Sequence, residues 1–176
     1  FIQKFLENES SVSLKSKYKF IEIASSLSYY LKSFSNINKY LDYICLIFKY
    51  FFNEKIILII PFNEEGEIWH ENIKISHNNE CLKIQEQINS FLNKFYFSKN
   101  FKYKEQLIFD NALNNKFKEY KIEKEKILSR GKCRGFIYIF SKDFSDNSIM
   151  DDSNFNFIQN CLAVGLENYS LIKTKK

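Results

Sequence analysis

"GFIYIFSKDFSDNSIMDDSNFNFIQNCLAVGLENYSLI", residues 135–172, reads as a strand, a polar loop and a long helix in succession. After Gly135, Phe136, Tyr138 and Phe140 alternate as one face of a strand does. SKDFSDNS then breaks the pattern, and Asp152 stands where a helix cap is needed. In the helix that follows, Phe155, Ile158, Leu162, Leu166 and Tyr169 recur at the spacing of one buried face. Phe157, Cys161, Val164 and Leu171 form a second apolar stripe, and Gly165 sits between the two. A helical glycine costs about 1 kcal/mol relative to alanine, so its missing side chain is expected to admit a close neighbour. The first stripe is expected to cover a sheet together with a helix around Ile23 and Leu27. The second is expected to meet a partner.

The rest of the chain supplies that sheet and its covering helices. Leu14 to Phe34 has a helical pattern, with Phe20, Ile23, Leu27, Leu31 and Phe34 on one face. SFSNIN breaks it and offers Ser35 or Asn36 as a cap for a second helix through Tyr40, Leu41, Ile44, Cys45 and Phe48. KIILIIPF is a short β-branched run of the kind that makes a buried strand. The turn NEEG leads into EIWHENIKI, completing a hairpin with Trp69, Ile73 and Ile75 on one side. ECLKIQEQINSFLNKFYF is again amphipathic, EQLIFD is strand-like, and FKEYKIEKEKIL suits an edge strand or a short helix. This order predicts an α+β class: a mostly antiparallel sheet flanked by helices, with the N- and C-terminal helices packed together on one face.

With 176 residues, 45% apolar and 18% aromatic, the chain is predicted to be one globular domain over residues 1–176. Residues 1–24 would be a helical lead-in, and residues 152–176 a terminal helix continuing into an output domain of a longer protein. The net charge of +5 comes from lysines scattered among glutamates, with Arg130 and Arg134 the only arginines. Without an arginine cluster or a basic face, no nucleic-acid partner is expected. Cys45, Cys81, Cys133 and Cys161 are far apart and form no CxxC pair, which argues against zinc and for reduced, buried thiols in a cytoplasmic protein. YICLIFKYFF is interrupted by Lys49 and too short to cross a bilayer, so no membrane association is expected.

Chemistry is sparse. There is no nucleophile elbow, phosphate loop, dinucleotide fingerprint or metalloprotease signature. His77 and Cys81 are only two potential ligands, His70 is expected to face solvent, and Glu64–Glu65 and Asp151–Asp152 occupy a turn and a helix start. No catalytic residue, metal or cofactor is expected.

Gly135, the pair Phe140–Ser141, and Ala163, Gly165, Leu166, Glu167 and Asn168 resemble the end of a GAF domain. In that family a glycine opens the last strand, an F-[ST] pair closes it, and the terminal helix ends in an A-x-A-[IL]-E-N-like run. LSYYLKSFSNINKYLDYICLIFKYFF is similar to the family's opening, where a long helix breaks and a second leads into the first strand. The wording of LKSFSNINKYLDYI and GFIYIFSKD is most similar to the regulatory GAF region ahead of SpoIIE-type, sigma-factor-regulating serine phosphatases. The resemblance implies a GAF/PAS-like fold and a signal-input and dimerisation role without catalysis. A sensory GAF domain of a histidine kinase, or a protein-interaction module with no small-molecule ligand, are the alternatives. NNKFKEYKIEKE lacks the Asp-Glu pair of cyclic-nucleotide binders, and no Cys-His dipeptide offers a bilin attachment point.

Two sites follow. If a small-molecule pocket exists, it is expected between the sheet and CLKIQEQINSFLNKFYF, lined by Trp69, Phe91, Phe95, Phe109 and Tyr138. A homodimer is expected through the terminal helices, with Phe157, Cys161, Val164, Gly165 and Leu171 at its interface.

Overall fold

The structure is a computed structural model and describes residues 37–76, 82–95, 103–142 and 148–174. The expected helix over Leu14 to Phe34, the cap of the second helix at Ser35 or Asn36, and the proposed lead-in lie outside them, as do His77 and Cys81. The described residues form an α+β arrangement of four helices and a four-stranded antiparallel sheet. Helix α1 (Ile37–Phe51) precedes strands β1 (Ile56–Pro61) and β2 (Lys74–Ser76). Helices α2 (Leu82–Lys94) and α3 (Tyr103–Lys116) follow, then β3 (Lys121–Ser129), β4 (Lys132–Ser141) and α4 (Ser153–Thr174). The sheet order is β2-β1-β4-β3.

Both sheet faces are covered, which explains why β1 reads as an unbroken apolar run. Ile56, Leu58 and Ile60 join Phe136, Tyr138 and Phe140 in a cluster with Ile84 and Ile88 of α2 and Phe109 and Leu113 of α3. The alternating residues Ile57, Ile59, Ile137 and Ile139 are also fully buried. They belong to the opposite face, where α1 packs beside β2 and α4 beside β3. Asp152 caps α4 as its position suggested: its Oδ1 accepts the N–H groups of Asn154 at 2.8 Å and Phe155 at 3.4 Å.

Two readings change. EQLIFD, expected as a strand, is the middle of α3. Leu107, Ile108 and Phe109 are adjacent in sequence, yet only Phe109, with Leu113 one turn on, is buried. The stretch EIWHENIKI also departs from a simple hairpin. A single bridge joins Phe62 to Ile68, residues His70–Asn72 make a tight 3-10 turn, and β2 pairs only through Ile57–Ser76 to Ile59–Lys74. The NEEG turn itself is held by Asn63, whose Oδ1 accepts the N–H groups of Glu65 and Glu67, both at 3.0 Å.

The ambiguous KIEKEKIL is β3, the outer strand of the described sheet. It turns into β4 through Arg130 and Gly131 at φ 51° and 74°, the left-handed pair that a two-residue hairpin requires. In β4, Gly135 is forced by close approach. At φ 147° a Cβ there would stand 2.4 Å from the carbonyl oxygen of Ile60.

Candidate functional site

The sequence points to α4, and the structure adds what holds it. Phe155, Ile158, Leu162 and Leu166 are buried and Tyr169 is half-buried. Across the helix, Val164 and Leu171 are 42% and 47% exposed, while Phe157 and Cys161 are half-buried. Gly165 does not belong with that outer stripe. It is buried against α1, and a Cβ there would lie 2.2 Å from Cε1 of Tyr40. The close neighbour it admits is an aromatic ring of its own chain. Tyr40 is fully buried, and its hydroxyl donates to the carbonyl of Cys161 at 2.5 Å. Burial, then the nearby Cys161, pushes the Tyr40 phenol well above its usual range.

On its other flank α4 is tied to β3. The Gln159 side chain donates to the backbone carbonyl of Lys126 at 2.7 Å. Glu167, a buried carboxylate, accepts the Ser129 hydroxyl and pairs with Nε of Arg130 at 3.2 Å. The terminal helix therefore grips the β3–β4 turn with a charged side chain. Sequence reasoning found Glu167 only as part of a motif. An acid set between Leu166 and the half-buried Asn168 and Tyr169 was the signal of an internal partner.

On the opposite sheet face, four of the five aromatics expected around a pocket come together. Phe91 is 5.9 Å from Phe95 and 5.8 Å from Phe109, ring centre to ring centre. Phe95 is 5.1 Å and Tyr138 5.5 Å from Phe109. Trp69 is not among them: its ring lies 5.2 Å from Tyr169 of α4, and its Nε1–H donates to Glu71 at 2.6 Å. The 3-10 turn after Trp69 breaks the alternation that would have aligned it with Ile73 and Ile75. Beside this cluster is a polar group the sequence did not suggest. Asp110 accepts the Tyr138 hydroxyl at 2.7 Å and pairs with Lys124 at 2.9 Å, while the Lys124 ammonium lies 4.3 Å from the centre of the Phe136 ring. Burial, then the hydrogen bond to Asp110, pushes the Tyr138 phenol far above its usual range.

An open groove of about 520 Å³ runs along α2. It takes in Phe91 but none of the other expected pocket aromatics. Burial pushes the Cys161 thiol up to about 11. Burial and the charge of Asp42, partly offset by Lys74, push Cys45 up to about 12. Both are neutral near pH 7 and so are poor nucleophiles. Among the described residues, no group of three or more His, Cys, Asp or Glu side chains is placed to hold a metal. Among them, too, no helix is long and apolar enough to cross a membrane. No protein-family model matches the chain, and no curated protein matches it.

Proposed function

We propose that this chain is a GAF-like, cytoplasmic signal-input and dimerisation module of a signalling protein, similar to the regulatory region of SpoIIE-type serine phosphatases, and that it carries out no catalysis itself. The observation that carries this reading is a terminal helix apolar on two sides. Its inner stripe is buried from Phe155 to Leu166, while Val164 is 42% exposed, and Leu46 on α1, which packs beside α4, is 62% exposed. At about 25 cal/mol per Å² of apolar surface, covering such residues with a second copy supplies a favourable term for association. A two-fold pairing of terminal helices meets that need with one self-complementary patch. The ties from α4 to Ser129, Arg130 and Lys126 support the signalling half of the reading, since they link the sheet to the helix.

The test is sedimentation of the chain across micromolar concentrations. The unaltered chain should sediment as a dimer, and V164E with L171E as a folded monomer. A chain already monomeric at high micromolar concentration would overturn the dimerisation role.

A further inference from the structure

The groove along α2 is built from one side of the helix. Lys83, Gln87, Ser90 and Lys94 follow at i, i+4, i+7 and i+11. Glu86 and Phe91 flank them, and Lys116 enters from the end of α3.

Three observations give this groove a chemistry. The first is charge without partners. Lys74, Lys121 and Lys124 each pair with a carboxylate, whereas the side chains of Lys83, Lys94 and Lys116, like those of Lys39, Lys49 and Lys132 elsewhere, have no ion pair or hydrogen bond among the described residues. In the groove, three such lysines line one hollow. Among the described residues that line it Glu86 is the only acid, so these side chains carry an excess of two positive charges. The second is position. Lys94 and Lys116 sit in the last turns of their helices, where the helix dipole favours a cation. Lys83 sits in the first turn of α2, where the dipole opposes it and the turn itself holds no acid. Placement at a helix end therefore accounts for two of the lysines but not for Lys83. The third is shape. The volume falls within the range of small-molecule sites. Lys83 and Lys94 are separated by about 16 Å along the helix at ~1.5 Å per residue, a gap that their flexible stems shorten. Between them lie hydrogen-bonding side chains, Glu86, Gln87 and Ser90, and the ring of Phe91.

We propose that this groove binds a small organic bisphosphate with a polyol body. One phosphate meets Lys83, the other meets Lys94, and Lys116 adds charge from α3. The hydroxyls of the body bond to Glu86, Gln87 and Ser90, and its carbon face lies on Phe91. A fatty acid would leave the central polar side chains unused, and a compact anion would not reach both ends. The inference goes beyond the dimerisation reading, and its test does not depend on the oligomeric state.

The test is calorimetric titration of the whole chain at low salt with fructose 1,6-bisphosphate as probe, fructose 6-phosphate and inorganic pyrophosphate being the comparison arms. Saturable binding of the bisphosphate is expected, with each comparison compound weaker by at least about tenfold. K83Q/K94Q/K116Q should weaken the bisphosphate by a similar factor, about 1.4 kcal/mol. K39Q/K49Q/K132Q, which removes the same charge elsewhere, should leave it nearly unchanged. Absence of binding at millimolar probe overturns the proposal. So does pyrophosphate binding as tightly as the bisphosphate, or an equal loss in the control triple. Should the groove triple fail to fold, amide shift mapping of the unaltered chain decides instead. Perturbations centred on residues 83–94 and 116 support the site, and their absence there refutes it.

Discussion

Replacing Gly165 by alanine sets two effects of opposite sign against each other. In an exposed helix the change stabilises by about 1 kcal/mol, because alanine is the better helix former. Here the new methyl would stand 2.2 Å from Cε1, 2.6 Å from Cζ and 2.9 Å from the hydroxyl oxygen of Tyr40. The ring cannot swing into solvent, since Tyr40 is fully buried and hydrogen-bonded to Cys161. Either α1 and α4 move apart or the ring shifts and breaks that bond. Overpacking of this kind costs about 1–3 kcal/mol, and losing the hydrogen bond about 1 more. After subtracting the propensity gain, G165A should destabilise by roughly 1–3 kcal/mol, and at about 2–4 °C per kcal/mol the thermal midpoint of a chain this size should fall by several degrees. Urea unfolding of G165A, Y40L and the double variant closes the cycle. In the Y40L background the alanine should be neutral or stabilising, because the obstructing ring is gone. A stabilised G165A single variant would refute the reasoning.

G135A should cost more, several kcal/mol and with it most of the soluble yield, because its Cβ meets backbone atoms 2.4 and 2.9 Å away that cannot rotate aside. D110A should destabilise by about 1–3 kcal/mol in urea, since it strands the buried Tyr138 hydroxyl and releases Lys124; Y138F should cost less, because Asp110 keeps its lysine. A stability profile against pH should be level near neutrality and fall above about pH 9. Folding raises the thiols from 9.0 to about 11 at Cys161 and about 12 at Cys45. A group whose pKa is raised by folding lends its stability below the unfolded value and loses it as pH climbs toward the folded one. Tyr40 and Tyr138 are raised from 10.0 and should steepen the fall. A thermal midpoint that is constant or rising between pH 9 and 11 would count against these burials.

The elements read correctly were those whose local pattern and tertiary role agree. KIILIIPF carries β-branched residues on both faces and is buried on both. Asp152 has the side chain a helix start needs and a loop before it. EQLIFD misled because α3 leaves Tyr103, Leu107 and Ile108 exposed, which blurs the helical period into a short apolar run. KIEKEKIL was undecidable alone, since its pairing with β4, register shift included, is what makes it a strand. Within the candidate sites, the stripes of α4 were legible because helical spacing alone sorts them. The partner of Gly165 was not, because Tyr40 lies 125 positions earlier and no local rule joins the two. Asp110, Lys124 and the lysines of the groove look like ordinary surface charges until the fold sets them side by side or leaves them unpaired.

The outer strand β3 carries Lys121, Glu123, Lys124, Glu125 and Lys126, and among the described residues its far edge bonds to no other strand. If two copies joined there about a two-fold axis to extend the sheet, antiparallel pairing would set the residue on the axis opposite its own copy. Centred at 123, 124, 125 or 126, that residue is Glu against Glu or Lys against Lys. Like charges directly opposed across strands are destabilising. An edge of this kind resists runaway sheet growth whenever the protein is concentrated. The penalty falls on strand-to-strand joining alone, so a contact made through helices is left free of it.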